Sequence, residues 1–127
     1  MKSNTIFTFA TIIYLIRAVG LLLSPDKLYG TYGVTLDPVG LWSARFMGGP
    51  MLFIALVNWS ARNGENSSQR SMALANIVLG IISILLAITG AKLFNSLVWA
   101  AVGLDAVLLL SFAYLFISGT EKSGRPA

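Results

Sequence analysis

The chain has 127 residues, 56% of them hydrophobic and only 11% charged, and its mean hydropathy of +0.77 excludes an ordinary water-soluble domain. It contains neither cysteine nor histidine, which excludes disulfides, thiolate or imidazole metal sites, haem attachment and imidazole acid–base chemistry. The formal net charge of +4 arises at the flanks of apolar segments, so anionic membrane lipids are the expected partners and nucleic acid is not.

Residues 6–23, 41–59, 73–91 and 97–117 each approach or exceed the roughly 18–20 apolar residues needed to cross about 30 Å of hydrocarbon. The alternation of a barrel strand is absent, so the spans are read as helices. The predicted fold is an all-α membrane protein, a four-transmembrane-helix bundle forming one domain over 1–127. Its helices are placed at about 5–24, 40–60, 71–91 and 96–118, with a short polar tail at 118–127.

The first span follows Lys2 but is interrupted by Arg17, and no small-x-small cleavage pattern precedes Pro25, so it reads as a retained helix. The connection at 24–40 carries Pro25 at a helix exit and Asp37-Pro38 as the cap and first turn of the second span. Its tyrosines, Tyr29 and Tyr32, suit a water interface, or else this segment folds over the mouth of the bundle and lines a site there.

The second span carries Arg45-Phe46-Met47-Gly48-Gly49-Pro50. Pro50 deprives the Phe46 carbonyl of its helical donor, and the paired glycines either admit a close helix contact or leave a small cavity. The polar turn at 60–71 holds no ligand motif. In the third span Ala73, Asn76, Gly80, Ser83, Ala87 and Gly90 recur three and four residues apart. They form a stripe on which a neighbouring backbone can pack, with Asn76 offering an interhelical hydrogen bond or a ligand contact. A weaker stripe of Gly103, Ala106 and Ala113 lies on the fourth span.

Charge asymmetry orients this topology. Lys2, Arg62, Arg70, Lys122 and Arg125 share the side of both termini, against Lys27 and Lys92 on the other, which predicts cytoplasmic termini in a bacterial inner (cytoplasmic) membrane.

Arg17, Arg45 and Asp105 stand inside apolar spans, where a charge costs roughly 2.5–3.5 kcal/mol at the helix centre and therefore seeks a partner, water or a ligand. Counting from predicted span ends puts them roughly 10, 8 and 14 Å below the same boundary, so one polar cluster is geometrically open to them. Tyr14 and Trp42, each three residues before an arginine, share their faces and offer rings for stacking or for lining a pocket. Two arginines against one carboxylate would leave an excess positive charge inviting an anionic or carbonyl-bearing ligand. The bland readings are snorkelling arginines or a purely structural ion pair.

Three segments, Leu15-Ile16-Arg17-Ala18-Val19-Gly20, Leu36-Asp37-Pro38-Val39-Gly40 and Ala44-Arg45-Phe46-Met47-Gly48, give the chain a likeness to small bacterial four-helix membrane proteins; it resembles the DoxX-like group. The resemblance implies the architecture, marks Arg17 and Arg45 as shared scaffold positions, and implies links to redox or quinone-associated membrane complexes. Small multidrug exporters are disfavoured, because their essential first-helix glutamate has no counterpart; the glutamates here are Glu65 and Glu121.

The first functional expectation is an accessory or assembly subunit of a larger membrane complex, meeting other membrane subunits or copies of itself through small-residue faces. The alternative is a small transporter or binding protein for an anionic, lipid or quinone-like ligand at the Arg17, Arg45 and Asp105 cluster. A third, a redox or lipid-modifying enzyme, requires an external cofactor. The residues themselves specify no cofactor, catalytic group or metal site.

Overall fold

Local sequence dictates helices almost everywhere. The computed structural model describes residues 2–123 and is 86% helical, with no strand among the described residues. Helices α1 (Ser3–Leu23), α3 (Pro38–Ala61), α4 (Asn66–Thr89) and α5 (Val98–Ser123) are the long elements, and α2 (Pro25–Thr31) is a short one between α1 and α3. The four long helices are long and apolar enough to cross a membrane, the mark of an integral membrane protein. Side chains such as Ile16, Phe46 and Leu110 are more than 60% exposed, as expected for surfaces solvated by lipid rather than water.

Several boundaries differ from the hydropathy reading. Asp37 caps α3, its Oδ1 accepting from the Gly40 N–H at 2.6 Å, and Pro38 occupies the first turn. Helix α4 begins at Asn66, ahead of the apolar run. Gln69, in that polar first turn, donates from Nε2 to the carbonyls of Ala61 and Arg62 at the end of α3, so the turn is secured by hydrogen bonds rather than by apolar burial. Helix α5 continues through residues 118–123, so the expected polar tail is helical as far as Ser123; the remainder of that tail, 124–127, lies outside the described residues.

The connection at 24–40 is not wholly a loop. Pro25 starts α2 with its fixed φ, and Asp26 sits in the first turn of the helix. Leu28 reaches back over Gly20 of α1, where an added Cβ would lie 3.3 Å from Leu28 Cδ2. Gly33 then turns the chain at φ +78°, a conformation that favours glycine.

Two close antiparallel pairs make up the bundle: α1 against α3, and α4 against α5. Between α1 and α3 the fit depends on Gly48, where an added Cβ would fall 2.6 Å from Leu22 Cγ; at Gly49 it would meet open space. One glycine of the pair thus serves helix contact and the other faces outward. Ala44, Ala55 and Asn58 continue the buried stripe of α3. In the other pair, Leu109 of α5 packs over Gly80, where an added Cβ would lie 3.3 Å from Leu109 Cβ. Gly103, expected on that seam, is exposed and meets nothing within 4 Å.

Within the spans, three contacts among the described residues join the pairs. Phe7 of α1 and Phe112 of α5 meet edge-on at 5.3 Å between ring centroids in the core. Asn58 of α3 and Asn76 of α4 exchange amide hydrogen bonds at 2.9 and 3.3 Å. Each amide also donates to its own helix, to the Ile54 and Met72 carbonyls, so this buried polar pair is closely satisfied. The third junction is the ion pair described next.

Candidate functional site

One helical turn beyond the buried Tyr14, α1 presents Arg17, and its Nη2 lies 2.7 Å from Asp105 Oδ1 on α5. The contact is a short charge-assisted hydrogen bond, and among the described residues it is the one ion pair. The two side chains keep 24% and 13% exposure, so the pair is largely withdrawn from its surroundings without being sealed. The Tyr14 hydroxyl lies within electrostatic reach of both charges.

Arg45 and Trp42 are not in this group. Both are exposed, and neither lines the cavity at the ion pair. The register of α1 against α3 explains why. Leu22 lies beside Gly48; Arg17 is five residues deeper than Leu22, whereas Arg45 is three residues from Gly48 in the opposite direction. At 1.5 Å per residue the two arginines differ in height by about 12 Å. Arg45 therefore sits near the end of α1, and Trp42 a turn farther out. Depths counted from each span's own end do not show this offset, because α3 begins beyond the level at which α1 stops.

Beside the ion pair is a partly open cavity of about 310 Å³, at the small end of the range for ligand pockets. Arg17 and Asp105 supply its charged wall, while Leu86 and Ala87 of α4 and Val98 and Ala101 of α5 supply an apolar one. Tyr29 and Tyr32, with Leu28 and Phe94, line the α2 end.

That aromatic edge is held by Asn95. Its N–H donates to the Tyr32 carbonyl at 2.8 Å, its Nδ2 donates to the Thr31 carbonyl at 3.0 Å, and its Oδ1 accepts from the Leu97 N–H. Tyr32 and Phe94 meet edge-on at 6.4 Å. The segment after α1 is thus fastened to the turn between α4 and α5, and the tyrosines line the mouth of the bundle.

The stripe on α4 divides into two parts. Ala73, Asn76 and Gly80 are buried, whereas Ser83, Ala87 and Gly90 are half-buried, and Ala87 belongs to the cavity wall. The structure therefore pairs Arg17 with Asp105, buries Tyr14 one turn away on α1, places Asn76 in a hydrogen-bonded pair with Asn58, and leaves Arg45 and Trp42 apart. The sequence pattern alone gives no partner for Asn58 or Asn95. An amide inside the apolar run 51–59 was the available signal for Asn58.

The local chemistry follows from the charges. Arg17 and Asp105 cancel, so the cavity presents a neutral but strongly polar wall. Guanidinium has five N–H donors and the bridge to Oδ1 uses one, which leaves donors for an accepting oxygen. With Arg45 elsewhere, the excess positive charge contemplated for a three-residue cluster does not arise here.

No family model, curated protein or solved structure matches the chain.

Proposed function

We propose that the protein binds a small amphipathic molecule of the membrane, lipid-like or quinone-like, in the cavity beside Arg17 and Asp105. The observation that carries this reading is a largely apolar cavity with a charge-balanced ion pair in one wall and two tyrosines at its edge. A buried ion pair serving only to join helices needs no adjoining space. An apolar body would occupy the volume among Leu86, Val98 and Ala101, and an accepting head such as a carbonyl would take hydrogen bonds from Arg17. Charge balance favours a neutral head over a free anion.

Gently solubilised protein should carry such a molecule, detectable by mass spectrometry of organic extracts. Ala101→Phe, which puts a ring into the cavity, should empty it while leaving the bundle folded. An identical extract profile from this variant would refute the reading.

We further propose the cytoplasmic orientation of both termini, in a bacterial inner membrane, supported by the basic flanks. The hydrogen bond from Asn4 Nδ2 to Asn63 Oδ1 puts the chain start and the α3–α4 turn at one end, and the Asn95 contacts put 24–40 and the α4–α5 turn at the other. The DoxX-like resemblance and an accessory role in a larger membrane complex are compatible with this binding function. Reproducible copurification of another subunit from mild detergent would support the accessory role, and recovery as an isolated bundle would oppose it.

A further inference from the structure

At the opposite end of the bundle lies a second cavity, of about 480 Å³, between the start of α1, the start of α4 and the end of α5. We infer that it holds the head group of an anionic phospholipid. Its polar rim includes Lys2, Asn66, Gln69 and Arg70, and its membrane-side wall includes Tyr114 and Leu115. No carboxylate is among its described lining residues. Glu65, beside Asn66 in sequence, is exposed and outside this lining.

Arg70 is half-buried, its guanidinium carbon 4.8 Å from the centre of the Phe116 ring, which restrains the cation at the crevice. Neither Lys2 nor Arg70 forms an ion pair with a described residue. Two cations and the Asn66 amide can meet a phosphodiester, while Gln69, whose Nε2 donates to the Ala61 and Arg62 carbonyls, offers its Oε1 to a donating group on the head.

The apolar wall distinguishes a lipid from free phosphate. Tyr114 and Leu115 belong to the membrane-length segment Val98–Gly119, whereas Lys2 and the polar first turn of α4 lie at the bundle end. The crevice consequently spans the boundary between water and hydrocarbon, matching a molecule with an anionic head and acyl chains. This site is separate from the cavity at Arg17 and does not depend on its ligand.

The test is native mass spectrometry of the full chain in micelles, titrated with phosphatidylglycerol or phosphatidylcholine bearing identical acyl chains. Phosphatidylglycerol should bind more tightly. Each basic side chain should contribute about fivefold, so Lys2→Gln with Arg70→Gln should lower phosphatidylglycerol affinity about 25-fold and leave phosphatidylcholine binding unchanged. Arg62→Gln is the charge control, because Arg62 stacks over Trp59 at 3.3 Å and is outside the cavity lining; it should preserve the preference.

Equal binding of the two lipids by the native chain would overturn the inference. So would an equal loss from Arg62→Gln, or displacement of phosphatidylglycerol by millimolar inorganic phosphate without any dependence on acyl chains. Lys2→Gln alone, at an exposed position, supplies a fivefold test should the double variant fail to fold.

Discussion

Asp105→Asn removes the anion facing Arg17 while preserving the shape of the side chain. Stranding one member of a fully buried pair costs about 3–5 kcal/mol, whereas an exposed pair contributes about 0–1 kcal/mol. With 24% and 13% of the side chains exposed, the present pair lies between these limits. Arg17 is about 7.5 Å below the level of Leu22 along α1, so its long side chain can only partly recover hydration at the boundary. The neutral amide can still accept one hydrogen bond. These considerations give a loss of about 2 kcal/mol. Arg17→Leu combined with Asp105→Leu should be within about 1 kcal/mol of the native chain, or more stable, because neither charge is then desolvated. Reversible unfolding with a denaturing detergent, followed by circular dichroism and tryptophan fluorescence, measures both. A coupling of about 2 kcal/mol is expected, against about 0.6 kcal/mol typical of hydrogen bonds inside membranes. An Asp105→Asn loss below about 0.5 kcal/mol together with additive Arg17 and Asp105 substitutions would refute the reasoning.

Gly48→Ala should destabilise the bundle by about 1–3 kcal/mol in the same assay because Leu22 must move, while Gly49→Ala should not destabilise it; equal effects would contradict the α1–α3 register. Asn58→Leu should cost about 1 kcal/mol by leaving Asn76 underpaired, and adding Asn76→Leu should recover part of that loss. Strict additivity would show that the amides do not act as a pair. Because the native chain lacks cysteine, Ser67→Cys and Ser96→Cys can report orientation separately. An impermeant thiol reagent should reach Ser67→Cys from the cytoplasmic side and Ser96→Cys from the other, and labelling of both from one side would overturn the topology.

The long helices were legible because long, predominantly apolar runs have few alternatives in a membrane. Helix α2 was not, since its seven residues mix proline, charge and glycine and lack a repeating apolar face. Its placement depends on Leu28 meeting Gly20 and on hydrogen bonds from Asn95. Arg17 and Arg45 carried the same sequence signal, a cation in an apolar run. Only the contact between Leu22 and Gly48 reveals the offset that puts one beside Asp105 and the other near the end of α1. Asn76 stood out through its stripe, but its reciprocal partner required the α3–α4 geometry. Likewise, sequence could not distinguish the contact made by Gly48 from the open space beside Gly49.

The central claim is that a membrane-resident molecule occupies the cavity at Arg17 and Asp105. Photolabelling in bilayers with a long-chain ketone carrying a diazirine beside its carbonyl, followed by peptide mapping, tests it most directly. Labelling should concentrate at 28–32 and 98–105, be diminished by unlabelled ketone, and vanish in Ala101→Phe. Unsaturable labelling distributed over lipid-facing positions such as Phe53 and Leu110, unchanged by Ala101→Phe, would contradict the account.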